Sequence, residues 1–333
     1  MDVMGPLHRF DEYQQKRKWL ALPMAVIKKF GDDQGGNLAS LVAWYGFFSL
    51  FPLLLVFATI LGYVLAGDSS TRQSVEHAVQ SQFPAIGNSL PLNAISGSAF
   101  ALAVGVVTAL WAGLGVTTVS QTALDTVWAI PYKDRPNFIK SRLRGLGLLV
   151  FLGVLFLVST IASGAVSAGF GGALAKVAGY LVSLLVNFVL FFAAYRLMTI
   201  GTIPGRDLYW GSAVAAVLWT ILQSVGGLYL KHAGGHGYGV FAIVIPLLIW
   251  LRLGTQVFLY CAEVNVVVSR RLWPRSFFGP PEAPADKRTL RALAKVEERS
   301  DVQHIDVEFE SPPRDVTPDS PPSVSTPETP RRT

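Results

Sequence analysis

The stretch VAWYGFFSLFPLLLVFATILG, Val42–Gly62, decides how the rest of the chain is read. It runs for 21 residues without a charge, about the length an α-helix needs to cross the hydrocarbon core of a bilayer. Pro52 stands in its middle. In a soluble helix an interior proline removes a backbone hydrogen bond and clashes with the preceding turn, at about 3 kcal/mol or more. Membrane helices tolerate such a residue because neighbouring helices, side chains or water take up the freed carbonyl. The stretch therefore reads as a proline-containing membrane span.

Composition extends that reading. The chain has 333 residues, of which 51% are hydrophobic and 15% charged, against about 25% charged in an ordinary soluble domain. Most charges lie outside a few long apolar runs, the pattern of a polytopic membrane protein rather than of a large soluble core. The net charge of +6 fits lysine and arginine in cytoplasmic loops better than a nucleic-acid surface, so no nucleic-acid partner is expected. Cys261 is the single cysteine, which excludes an internal disulfide and any CxxC site. The first 37 residues are polar and basic, and the first apolar run is too long for a signal h-region, so no cleavable signal peptide is expected.

Six segments are long enough to span a bilayer: 38–66, 95–124, 145–168, 177–195, 208–230 and 238–269. The expected fold class is all-α, a polytopic membrane protein with six transmembrane helices. Orientation follows from lysine and arginine. With the N-terminus inside, the inner segments hold six in 1–37, five in 131–144, two in 196–207 and three at Arg270, Arg271 and Arg275. The outer segments hold only Arg72, Lys176 and Lys231, so sixteen stand against three and both termini are expected to be cytoplasmic.

The chain divides into a cytoplasmic N-terminal segment, 1–37, a transmembrane domain, 38–269, and a cytoplasmic tail, 270–333. In the first, LPMAVIKKF suggests an interfacial helix starting at Pro23, with Val26, Ile27 and Phe30 toward lipid and Lys28 and Lys29 at headgroups. In the first external loop, SSTRQSVEHAVQSQF has the spacing of an amphipathic helix. A short helix is expected over 284–299. From about Ser300 the Pro-, Ser- and Thr-rich tail cannot bury a core and is expected to be disordered.

Several motifs in order resemble one family. They are WYGFFSLFPLLL in the first span, TALDTVWAI followed by RPNFIKSRLRGL at the exit of the second, and FFAAYRLM in the fourth. The last is GYGVFAIVIPLLIWLRLGTQVFLYCAEVN, closing the sixth span on Ala-Glu-x-Asn. Together they resemble the YihY/BrkB family of bacterial inner-membrane proteins over about residues 20–270. Departures are Gly211-Ser212 where the family has Gly-Ala, Cys261 where it has glycine, and a later proline, Pro204, after Tyr195-Arg196. The resemblance implies a multi-pass protein of the bacterial cytoplasmic membrane. The family long carried the label ribonuclease BN, a tRNA-processing activity.

Candidate cavity or substrate residues are Arg252, Gln256, Glu263, Asn187, Tyr45 and Ser49, with Pro52 and Pro246 as candidate helix breaks. Arg252 lies near the middle of the last span, where a charge costs at least about 2.5–3.5 kcal/mol and must face protein or water. Gln256 and Glu263 follow on nearly the same helix face. One reading makes Arg252 a structural pairing group. The other lets it contact an anionic ligand beside the carbonyl of Phe48, freed by Pro52. Asn187 and Gln223 read as helix-joining amides, and Tyr195-Arg196 as an interfacial anchor.

No catalytic, cofactor-binding or metal-ligating set is recognised. The histidines are scattered, His232 and His236 flank a loop-like AGG, and Asp125 is a lone carboxylate. The expected function is binding or transport of a lipid or small anionic solute, with membrane lipids as partners. The alternatives are a membrane scaffold whose tail recruits partners and, more remotely, the ribonuclease reading. The charge bias predicts that Arg135→Cys, in protein lacking Cys261, resists an impermeant maleimide added to intact cells, whereas Ser98→Cys reacts. Labelling at 135 from outside reverses the orientation.

Overall fold

The computed structural model describes residues 4–64, 99–169, 173–200, 203–233, 241–277 and 283–309. The expected external amphipathic helix, Ser98 and His236 fall outside them. Two amphipathic helices come first, α1 (Met4–Lys16) and α2 (Lys18–Asp32). Six long helices follow: α3 (Gly35–Val64), α4 (Ala99–Val127), α5 (Phe138–Gly169), α6 (Ala173–Met198), α7 (Tyr209–Ala233) and α8 (Phe241–Ser269). The last is α9 (Pro284–Val296). The long helices fall on the six apolar segments of the sequence. Over the described residues, four stretches are long and apolar enough to cross a membrane: Gly35–Leu53, Ala103–Val127, Leu181–Met198 and Val244–Ser269.

α3 continues through Pro52 and α8 through Pro246. The expected breaks are therefore not interruptions. Each proline forfeits one hydrogen bond of a helix that extends for several apolar turns on both sides. The two helices are neighbours, and their contact is dry: Phe47 and Leu50 of α3 pack on Val244, Leu247, Leu248 and Leu251 of α8.

α8 is the packing centre and lies against α2, α3, α4 and α7. Its last turns show why. Gly211, in the first turn of α7, sits where a Cβ would collide with the Cys261 carbonyl and the Asn265 amide, and its N–H donates to Asn265 Oδ1 at 2.6 Å. The neighbouring Ser212, where the family pattern has alanine, satisfies its hydroxyl on its own helix at Leu208 O, 2.7 Å. Tyr195, near the end of α6, is fully buried and donates to Phe258 O at 2.8 Å. It is a helix-to-helix tie rather than the interfacial anchor expected. At the same end, Gln121 and Ser141 bond reciprocally between α4 and α5, at 2.8 and 3.1 Å. These pairings set the long helices running alternately up and down, with the starts of α3, α5 and α7 beside the ends of α4, α6 and α8.

α2 corrects the interfacial reading of its sequence. It begins at Lys18, so Pro23 lies inside it, on an exposed face. Ala21, Ala25, Val26, Lys29 and Phe30 are buried. The Phe30 ring stacks on Tyr260 of α8 at 3.8 Å, and the adjoining turn needs glycine at position 35 because the same ring occupies the space a Cβ would take. A side of α2 read as lipid-facing is thus covered by α8.

The two ends of the chain are clasped together. Arg275 is 2% exposed and bridges Asp32 at 2.7 Å and Asp286 at 2.8 Å. Lys28 pairs with Asp286 and also donates to Ser276 O. Asp11 accepts from Gln14, Ser276 Oγ and the Phe277 amide, at 2.9–3.1 Å. Burial alone would raise the Asp286 carboxyl, but Lys28, the Ser276 amide and Arg275 outweigh it and hold it below its ordinary value. Asp11 is lowered in the same way by its ring of donors. Beyond α9, residues 300–309 were expected to be disordered. They instead lie along that helix, with Arg291 donating to Val307 O at 3.3 Å and Lys287 and Arg291 over the Phe309 ring.

Depressed carboxyls stabilise above the unfolded-state pKa. The contribution of Asp11 and Asp286 is complete above the ordinary value of 3.8 and lost as pH falls below it. Hydrogen exchange in α9 should therefore accelerate below that pH while exchange in α3 does not. Arg275→Met should weaken the clasp by about 1.5–3 kcal/mol at neutral pH, the scale of a lost charged hydrogen bond, because Asp286 keeps Lys28 and Asp32 meets water. Unchanged α9 protection in that variant contradicts the assignment.

Candidate functional site

Two polar constellations stand at the end of the bundle that carries the clasp. The first is closed. The Lys29 ammonium is buried and reaches three acceptors: Asp33 Oδ2 at 2.5 Å, Val127 O at 2.7 Å and Glu263 Oε2 at 3.0 Å. A lysine has three N–H donors, so the ammonium is saturated, while Asp33 Oδ1 and Glu263 Oε1 beside it have no hydrogen-bond partner. Val127 ends α4, and its carbonyl is one of the orphans every helix leaves at its C-terminus, where a cation is favourable. One side chain thereby fastens α2, α4 and α8. Glu263 is 0% exposed, Asp33 4% and Lys29 2%, so this pairing is far from solvent. Lys29 was expected at lipid headgroups. Its place four residues after Ala25, on the buried stripe of α2, was the sequence signal that it faces inward.

The second constellation is open. A cavity of about 200 Å³ lies between the end of α4 and the start of α5, lined among others by Asp125, Arg135, Phe138, Ser141 and Arg142. Arg135 stacks on Tyr132 at 4.2 Å and donates through Nε to Ile130 O at 3.2 Å. Arg142 stands between the Trp111 and Phe138 rings, at 5.2 and 4.8 Å. Each guanidinium thus lies over at least one aromatic ring. Arg135 Nη2, Arg142 Nε and Asp125 Oδ1 are buried yet have no hydrogen-bond partner. The tail reaches the same loop: Lys133 pairs with Glu298 at 2.8 Å, and Arg299 covers the other part of Tyr132 at 4.9 Å.

The residues singled out from sequence are not brought together. Arg252 is exposed, on the face of α8 that also exposes Ile245, Ile249 and Leu253. It makes no hydrogen bond or ion pair among the described residues, so the expected bond to the Phe48 carbonyl is absent. Leu251, one position earlier, takes the place against α3. Gln256 is half-buried. Glu263 is held by Lys29, some distance along the helix. Asn187 donates to Thr220 of α7 at 3.4 Å, as a helix-joining amide does. Ser49 bonds back to Gly46 O at 2.7 Å, and Tyr45 is partly exposed against Gly115 of α4. Sequence reading missed Lys29, Asp33, Arg135 and Arg142. The quoted loop motif RPNFIKSRLRGL contains both arginines, but nothing in its spacing says which of its basic residues turn inward. Among the described residues, no three His, Cys, Asp or Glu side chains come together as metal ligands.

Comparison with known proteins agrees with this architecture. The family described as Virulence factor BrkB matches residues 26–285, which includes α3 to α8 and stops one residue short of Asp286. The chain belongs to this family. BrkB relatives include a UPF0761 membrane protein of Pseudoalteromonas translucida, 27% identical over 80% of this chain and 90% of its own length. Another UPF0761 membrane protein, from Acinetobacter baylyi, is 22% identical over 76% of this chain, which spans 63% of that relative. A Bacillus subtilis protein named ribonuclease-like protein YfkH is 20% identical over 74% of this chain and 94% of its own. No solved structure matches. The match begins at Val26, so Lys29 and Asp33 lie inside the family region together with Glu263.

The saturated lysine gives a graded prediction. Lys29→Met leaves two buried carboxylates without a cation and should cost about 3–5 kcal/mol. Glu263→Gln leaves one charge of each sign and should cost much less. Thermal unfolding in detergent orders the variants, and equal losses contradict the arrangement.

Proposed function

We propose that this membrane protein of the BrkB family crosses the bacterial inner membrane six times, with both termini cytoplasmic. In this reading it binds the phosphate-type group of a lipid or small anionic solute in the cavity between α4 and α5, as a step in holding or moving that ligand. One observation carries the proposal: two aromatic-stacked arginines turn unused, buried N–H groups toward a cavity. An unsatisfied buried donor costs about 1–3 kcal/mol. A phosphate oxygen removes that cost and adds charge-assisted bonds in the planar geometry a guanidinium favours. The up-and-down course of the six long helices and the lysine and arginine bias support the topology. In this topology the cavity lies at the inner headgroup level. Sequence reading placed the anion at Arg252, but that residue is exposed and unsupported by neighbours, whereas Arg135 and Arg142 are held in place.

The ribonuclease reading has no comparable support, and nuclease-free preparations should not process tRNA. Native mass spectrometry of the purified chain should find phosphate-containing ligands that co-purify. Arg135→Ala and Arg142→Ala should each weaken binding about 10- to 150-fold, the equivalent of 1.5–3 kcal/mol per charged hydrogen bond. Arg252→Leu should leave binding at this cavity unchanged. Undiminished binding in both arginine variants removes the cavity from the function.

A further inference from the structure

An anion alone does not use everything the cavity offers. Asp125 is 3% exposed; its carboxylate accepts from the Ile200 amide and lies near Arg135 and Arg144, yet its Oδ1 is an acceptor without a donor. A carboxylate at an anion site weakens binding unless the ligand also brings a cation. The other polar lining groups are already committed. Gln121 and Ser141 bond to each other, and the Thr118 and Thr122 hydroxyls donate to Leu114 O and Thr118 O in their own helix. That leaves two guanidinium donors and one carboxylate acceptor.

We infer that the cavity takes a zwitterionic phosphodiester bearing a primary ammonium, the headgroup of an ethanolamine phospholipid. Its phosphate sits between Arg135 and Arg142, and its ammonium donates to Asp125 Oδ1. This rests on the reading of the cavity as a phosphate site. Every buried charge then meets one of opposite sign. A glycerol headgroup offers the carboxylate only neutral hydroxyls, and a choline headgroup has no N–H to donate. About 200 Å³ corresponds to some six or seven water volumes of about 30 Å³ each, room for a headgroup and not for acyl chains. The chains belong outside, where Trp111 and Phe138, the two rings beside Arg142, are 71 and 69% exposed.

The full chain in phosphatidylcholine nanodiscs provides the test, with short-chain phosphatidylethanolamine, its N-methylated series, phosphatidylglycerol and soluble glycerophosphoethanolamine as probes. Wild-type protein should prefer ethanolamine over glycerol and choline headgroups by about tenfold or more. Affinity should fall at the step from dimethyl to trimethyl nitrogen, a readout that needs no variant. Asp125→Asn should abolish the ethanolamine preference and leave phosphatidylglycerol binding equal or tighter. Equal affinity across the methylation series, or a phosphatidylglycerol preference untouched by Asp125→Asn, overturns the zwitterion while leaving the phosphate site standing. Failure of Arg135→Ala and Arg142→Ala to weaken any lipid overturns the phosphate site itself. Glycerophosphoethanolamine as tight as the lipid supports the headgroup chemistry and assigns a soluble ligand; much weaker binding supports the lipid.

Discussion

A lysine ammonium with almost no access to water holds one end of this helix bundle together. Lys29 reaches α4 through a helix-end carbonyl, α8 through Glu263 and its own helix through Asp33. A charge so deeply buried is tolerable only if a fixed charge of opposite sign balances it. The arrangement therefore dictates more than a contact. It requires α2 to lie against α8 and α4 to end at one level, and Phe30 stacked on Tyr260 sets the rotation of α2. Gly211 and Tyr195 then bring α7 and α6 onto the same stretch of α8. Four helices are indexed to the residues between Phe258 and Asn265.

That dependence explains what could be read without a structure. Long uncharged runs report helices because a bilayer-length apolar segment has few other uses, and all six appear within a few residues of the expected limits. The Ala-Glu-x-Asn motif was visible as a family mark, but its meaning was not: Glu263 needs Lys29 and Asn265 needs Gly211, partners set by packing rather than by spacing along one helix. Arg252 shows the converse error. Its depth in the span made it conspicuous, yet depth along an axis does not fix azimuth, and Leu251 rather than Arg252 faces α3. Pro52 misled for a related reason. Loss of one hydrogen bond is a local cost, and the surrounding apolar helix absorbs it.

The contrast between the two constellations bears on function. Around Lys29 the three ammonium donors are all matched and only carboxylate oxygens are left over, with no cavity beside them among the described residues. Around Arg135 and Arg142 aromatic rings lie against the guanidinium groups while leaving N–H groups unused. A protein that had no use for those groups could replace them with apolar side chains at little or no cost, since buried ionic groups seldom improve on good packing. Preorganised but unspent polarity is what a binding site requires before its ligand arrives. The loop that carries Arg135 also touches the tail through Lys133 and Tyr132, so the cavity's wall and the C-terminal segment share a boundary.

The clasp between the chain's ends also constrains biogenesis. Lys28 and Asp286 are 258 residues apart in sequence. At about 5–20 residues per second, roughly 13–50 s of synthesis separates the two halves of that ion pair. For most of that interval α2 has been made while α8 has not, and its apolar face and Lys29 must be sheltered by lipid, water or a chaperone. The helical hairpins insert in order, but the fold is sealed only when the ribosome has passed α8. A nascent chain released before that point would carry an uncovered α2, a ready mark by which quality control can tell an unfinished molecule from a finished one.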